Sequence, residues 1–121
     1  MKERETDLII QLAKLFIDEM HDLQPAFERA FFRFHTEERM YESSASYTTS
    51  SDAFIISAVM RDEFFEEMEK ISLDLLSEMQ KNPALILLTI DKDFDYEIQF
   101  EYKDMEKWQL SLIDGGTGIP T

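Results

Sequence analysis

The sequence contains no cysteine, three glycines, three prolines and far fewer basic than acidic residues. The absence of cysteine excludes a disulfide framework and any metal site built on thiolates. The three glycines fall within Gly115-Gly116-Thr117-Gly118, near the end of the chain. This stretch lacks the strand-to-helix context and the following lysine of a phosphate loop, which argues against phosphate binding there.

Long hydrophobic runs are also missing. No stretch approaches the roughly 20 consecutive apolar residues that a membrane span needs. Near the start of the chain, Gln11, Lys14 and Asp18 interrupt the apolar residues before they reach the about 7–15 residues of a signal-peptide core. We therefore expect a soluble, cytoplasmic protein with no membrane partner.

The composition is otherwise that of a folded domain. Ten Phe, four Tyr and an apolar content of 44% can supply a hydrophobic core in a chain of 121 residues. We expect a single α+β domain over residues 1–114, followed by a flexible, glycine-rich tail over 115–121. The dominant feature is charge, because 26 Asp and Glu against 12 Lys and Arg give a formal net charge of −14.

Hydrophobic periodicity predicts the order of elements. Apolar residues at intervals of three and four predict amphipathic helices over residues 5–20 and 62–80, and Asn82-Pro83 ends the second. The remaining segments predict strands over 27–35, 40–49, 53–59, 84–90 and 94–102, with a possible further strand over 108–113. The expected fold is an antiparallel sheet of about five to six strands with both helices on one face, in the order α-β-β-β-α-β-β(-β).

The sequence offers little support for metal or cofactor chemistry. Asp91-Lys92-Asp93-Phe94-Asp95 imitates the start of a calcium-binding loop, but tyrosines occupy the positions that need glycine and a bidentate glutamate. His21 and His35 lie in different predicted elements without the spacing of a zinc site. No serine lies in a nucleophile-elbow pattern. We assign no catalytic, cofactor-binding or metal-binding residue.

Direct nucleic-acid binding is also disfavoured. Aromatic residues and the arginines Arg29 and Arg33 could form a base-stacking platform on a sheet. A nucleic-acid binder, however, concentrates basic charge, whereas this chain would repel phosphates. We expect the aromatic side chains to form the core and the arginines to pair with neighbouring acids.

The acidic residues gather on two elements, the second predicted helix and the last predicted hairpin. The two groups comprise Asp62, Glu63, Glu66 and Glu67 on the helix, and Asp91, Asp93, Asp95, Glu97 and Glu101 on the hairpin. Each group is either a solvated face or a surface complementary to a basic protein.

The closing hairpin carries a family resemblance. Leu87-Leu88-Thr89-Ile90-Asp91, followed by Phe94-Asp95-Tyr96-Glu97-Ile98-Gln99-Phe100-Glu101-Tyr102, resembles the small immunity proteins of bacterial polymorphic toxin systems, including the YezG-like antitoxins. The resemblance covers residues 85–108 as a motif and most of the chain as an order of elements. It implies a non-enzymatic protein that binds and neutralises a cognate basic toxin domain, often a nuclease.

The partner-binding residues predicted on this basis are the hairpin acids first and the helix acids second. Two other functions stay open. One is an adaptor or regulatory binding module, which would use an apolar patch and associate independently of salt. The other is an enzyme or metal-binding protein that uses clustered carboxylates.

Overall fold

Two helices lie against one face of a five-stranded antiparallel sheet in the computed structural model, which describes residues 2–112 and 116–120. The elements are α1 (Lys2–Leu23), β1 (Arg29–Glu37), β2 (Met40–Thr48), β3 (Ala53–Ile55), α2 (Asp62–Met79), β4 (Ala84–Asp91) and β5 (Tyr96–Glu101). The predicted α+β class and element order are confirmed.

The sheet joins a meander to a hairpin. Strands β1, β2 and β3 pair in sequence, β4 pairs with β5, and β1 pairs with β4, so the strand order is β3-β2-β1-β4-β5. The helix α2 connects β3 at one edge of the sheet to β4, which lies beside the central strand. The two most buried strands, β1 and β4, therefore lie side by side within the sheet, and β5, which carries Glu97 and Glu101, occupies an edge.

The main core lies between the helices and the sheet. Helix α1 buries Leu8, Leu12, Phe16 and Met20 at intervals of four, as expected of an amphipathic helix. An aromatic cluster fills the centre: the ring of Phe16 lies 5.7 Å from that of Phe64 and 6.3 Å from that of Phe32. Alternate residues of β1 and β4 complete this core, in keeping with the two-residue period of a strand.

A second, smaller core lies on the opposite face of the sheet. Phe31 of β1 and Leu87 of β4 pack there with Leu110, and Trp108 and Ile119 cover them. The chain after β5 thus returns across the outer face of the sheet. Because β4 is buried on both faces, its sequence is a continuous apolar run instead of an alternating one.

Arg33 fastens the returning segment to β1. Its guanidinium donates from Nε to the carbonyl of Lys107 at 2.8 Å and from Nη2 to the carbonyl of Met105 at 2.7 Å. Only 3% of Arg33 is exposed, and this burial lowers its pKa, although Glu42 and Glu106 act in the opposite direction. The nearest carboxylate, of Glu42, lies 3.9 Å away. The arginine therefore binds mainly backbone carbonyls instead of the neighbouring acids that we expected.

Several boundaries differ from the predictions. Helix α1 extends beyond the predicted range at both ends, and β3 ends at Ile55 instead of residue 59. The chain leaves the sheet there because Ile56 is buried in the main core and the following residues form a turn. The possible strand over 108–113 is absent from its described part, residues 108–112, where Trp108 has a positive φ of 61°.

The tail is anchored where the structure describes it. Gly118 is buried, its amide donates to the carbonyl of Ser111 at 2.9 Å, and its carbonyl accepts from the hydroxyl of Ser46 at 2.6 Å. Residues 116–120 have no regular secondary structure, but Ile119 packs against the small outer core beside the buried Gly118. The predicted domain boundary at residue 114 lies outside the described residues. Within the described ranges, no helix has the length and apolar character to cross a bilayer.

Candidate partner-binding surface

Three elements bring acidic residues to one end of the molecule. Helices α1 and α2 run antiparallel: Arg61, just before α2, binds Glu19 and Asp22 near the end of α1, and Arg4 lies 3.8 Å from Glu78 at the opposite end. The turn between β4 and β5 also lies against the end of α1, because the ring of Phe94 is 5.0 Å from that of His21.

We call this region the acidic end. It comprises seven carboxylate residues, which are Glu19, Asp22, Asp62, Glu63, Asp91, Asp93 and Asp95. The structure thus brings together the start of the acidic helix and the turn of the acidic hairpin, which are about 30 residues apart in sequence.

Arg61 holds two of these carboxylates. Its Nη1 atom lies 2.8 Å from Asp22 Oδ2 and 3.2 Å from Glu19 Oε2. The hydrogen bond to Asp22 is the main cause that raises the pKa of Arg61, and Glu19 adds to it. One cation thus bridges α1 to the start of α2, while Asp62 and Glu63 in the first turn of α2 remain exposed. Acids in a first helical turn also interact favourably with the helix dipole.

Asp91 shapes the hairpin turn. Its Oδ1 atom accepts from the amide of Asp93 at 2.8 Å and from the amide of Asp95 at 3.2 Å, which is the local bonding that aspartate favours in turns. Phe94 adopts a positive φ of 67° within this turn. Asp91 therefore organises the loop, while the exposed Asp93 and Asp95 extend the charge toward solvent.

A shallow, open hollow of about 250 Å³ adjoins the hairpin turn on the outer face of the sheet. It is lined by Arg29, Thr89, Ile90, Asp91, Asp95, Tyr96 and Glu97. Glu97 therefore lies beside the acidic end. The guanidinium of Arg29 is 5.0 Å from the ring of Phe31, so this cation rests on the aromatic surface of the outer face.

Glu101 lies at the far end of β5 and has an internal role. Its carboxylate accepts from the amides of Asp104 and Lys103, each at 3.2 Å, and from Lys107 Nζ at 3.3 Å. These hydrogen bonds hold the pKa of Glu101 below its ordinary value, and the bond from the amide of Asp104 contributes most. Glu101 is among the predicted partner-binding residues, and in the structure it stabilises the turn after β5. The predicted residues Glu66 and Glu67 lie exposed farther along α2 and are not part of the acidic end.

Sequence reasoning missed two parts of this surface. Glu19 lies on the polar face of the helix predicted over 5–20 and Asp22 lies beyond its predicted end, and no local pattern indicates that Arg61 brings both beside α2. The strand predicted over 53–59 includes Val59, but Val59 and the following Met60 lie exposed in the turn before α2. The available signal was Ser57, whose hydroxyl accepts from the amide of Met60 at 3.2 Å in a turn typical of serine.

The two histidines lie apart from each other. The ring of His21 contacts that of Phe94 at a tilt of 42°, whereas His35 lies on β1 between Glu37 at 3.3 Å and Glu42 at 3.4 Å. Over residues 2–112 and 116–120, no group of three or more histidines and carboxylates is arranged to hold a metal ion.

A scan against protein-family models and a search of curated proteins give no match to this sequence. The function is therefore inferred from the surface itself.

Proposed function

We propose that this protein is a non-enzymatic, cytoplasmic immunity protein that neutralises a basic toxin domain, a nuclease, by covering it with the acidic end. The supporting observation is the meeting of the α1 end, the α2 start and the β4–β5 turn, which concentrates seven carboxylates on one side of a small domain. The resemblance of the closing hairpin to immunity proteins points to the same class of function.

The physical basis is charge complementarity. A nuclease must bind a phosphate backbone, so its substrate cleft is basic. A concentrated negative surface accelerates encounter with such a cleft and opposes association with nucleic acid or other acidic partners. The carboxylates of the acidic end occupy the positions that phosphates would take, and the toxin is inhibited because its substrate is excluded.

The test is co-expression with the toxin domain encoded beside this gene. We expect the protein to protect cells from that domain, to form a complex with it in vitro, and to lose affinity as salt concentration rises. An adaptor that binds through apolar contacts alone would show no such salt dependence. The proposal is wrong if no neighbouring toxin domain is neutralised or bound.

A charge-matched pair of variants locates the contact. The triple variant Asp62→Asn, Asp93→Asn, Asp95→Asn removes three exposed carboxylates from the acidic end. The control Glu3→Gln, Glu38→Gln, Asp74→Asn makes the same change in net charge at exposed positions elsewhere. We expect the first variant to slow association about tenfold at low salt and the control to retain most of the wild-type rate. Equal effects of the two variants would assign the binding to net charge alone.

A further inference from the structure

An exposed apolar turn lies within the acidic end. Val59 is 86% exposed and Met60 79% exposed, and Val59 is the most exposed large apolar side chain in the described part of the chain. Met60 lines a hollow of about 320 Å³ together with Glu19, Asp62 and Glu63. A single exposed apolar residue is ordinary on a protein surface. Here the two adjacent apolar side chains form the centre of a small patch, and the neighbouring carboxylates form its rim.

The turn is held at both ends. On one side, Ile56 is buried and its amide donates to the carbonyl of Ala45 at 2.9 Å. On the other side, Arg61 is fixed by its ion pairs with α1, and its amide donates to the carbonyl of Ser57 at 3.0 Å. Val59 and Met60 are therefore presented on a short, closed turn. Such preorganisation reduces the entropy lost when a partner binds.

We infer that Val59 and Met60 are the apolar anchor of the interface, and that they insert into an apolar recess bordered by lysine and arginine side chains on the toxin domain. This inference rests on the proposed function. The occupant must be basic because the exposed carboxylates of Asp62 and Glu63 line the same hollow as Met60 and pair with no cation among the described residues. Glu19 in that lining, by contrast, is paired with Arg61. Within that rim, the desolvated apolar centre contributes most of the affinity, while the charged rim governs the association rate and the choice of partner.

Charge also argues against the other occupants. A second copy of the chain would place its own acidic end or another surface of a protein with net charge −14 against these carboxylates. An anionic membrane surface would be repelled in the same way. A methionine side chain suits a protein recess because it adapts to irregular apolar surfaces.

The experiment uses calorimetric titration with the toxin domain identified by co-expression, inactivated in its catalytic site. The variants are Val59→Ser and Met60→Ser. Met40→Ser is the matched control, because Met40 is 78% exposed at the start of β2, at the opposite end of the molecule. Loss of a buried apolar side chain predicts a roughly tenfold to hundredfold rise in Kd for each anchor variant, with an unchanged salt dependence. Met40→Ser should bind like the wild type.

Three results would overturn the inference, and they are distinguishable. Wild-type affinity of both anchor variants, while the acidic triple variant associates slowly, would refute the apolar anchor and leave the proposed function intact. A concentration-dependent dimer of the protein alone, abolished by Met60→Ser in sedimentation equilibrium, would assign the turn to a second copy. Failure of the wild-type protein to bind the toxin domain would refute the proposed function and this inference together.

Discussion

Replacing Arg33 with glutamine should detach the chain after β5 from the sheet. The substitution removes the two hydrogen bonds from the guanidinium to the carbonyls of Met105 and Lys107. A hydrogen bond to a charged group contributes about 1.5–3 kcal/mol, so the two bonds together represent about 3–6 kcal/mol. Part of this stabilisation is offset in the wild-type protein by the cost of burying the charged guanidinium. The same burial lowers the pKa of Arg33. We expect Arg33→Gln to lower the free energy of unfolding by about 2–4 kcal/mol.

The protein contains a spectroscopic probe at the right place. Trp108 is the single tryptophan, and it packs against the small outer core formed by Phe31, Leu87 and Leu110. Its fluorescence therefore reports on the returning segment, whereas far-UV circular dichroism reports mainly on α1 and α2. In urea, Arg33→Gln should shift Trp108 emission to the red at a lower denaturant concentration than the helical signal is lost.

The control for this experiment lies on the same strand. Arg29→Gln makes the same change in charge, but Arg29 is exposed and its guanidinium lies 5.0 Å from the centre of the Phe31 ring. We expect Arg29→Gln to lower the free energy of unfolding by less than about 1 kcal/mol. Its unfolding transitions should coincide by tryptophan fluorescence and circular dichroism. If Arg33→Gln also shows coincident transitions and matches Arg29→Gln in stability, Arg33 does not fasten the segment.

Three further predictions concern single polar groups. Ser72 is fully buried in α2, and its hydroxyl has no hydrogen-bond partner among the described residues. Ser72→Ala should therefore raise the free energy of unfolding, measured in urea, by about 1 kcal/mol. A decrease would show that the hydroxyl makes a stabilising hydrogen bond. Asp91→Ala should cost about 1 kcal/mol because the amides of the hairpin turn lose their acceptor, whereas Asp91→Asn keeps the oxygen and should lie close to the wild type in the same assay. The folded-state pKa of Glu101 is lowered, so the stability that it contributes is present above its unfolded pKa of about 4.3 and is lost as pH falls through its folded value. Acid titration of Glu101→Gln should therefore show a shallower loss of stability below that pH, and an unchanged curve would contradict this role.

Local patterns predicted the helices and the main strands because their determinants are local. The three- and four-residue spacing of Phe64, Phe65 and Met68 is sufficient to place α2, and alternation is sufficient to place β5. The sequence also predicts the last two strands as a hairpin, but it does not predict that β1 pairs with β4 or that a second core forms on the outer face. Both depend on long-range contacts such as that of Arg33 with a carbonyl 72 residues away, which no local pattern encodes.

The candidate site was predicted as two separate acidic elements, and the missing information was which of their ends meet. The pairing of Arg61 with Asp22 and the contact between the rings of His21 and Phe94 bring the start of α2 and the β4–β5 turn to the end of α1. Glu101 illustrates the opposite difficulty. Its charge suggested a partner, but its hydrogen bonds to Asp104, Lys103 and Lys107 are visible only in three dimensions.

The antiparallel arrangement of α1 and α2 determines where the field of the acidic end originates. The C-terminus of one helix and the N-terminus of the other lie side by side there, so partial charges of about half an elementary unit and opposite sign nearly cancel. The negative potential therefore comes almost entirely from ionised side chains. Unlike a backbone dipole, that potential depends on pH: in acid the carboxylates are protonated while Arg61 keeps its charge, so the potential at this end changes from negative to positive.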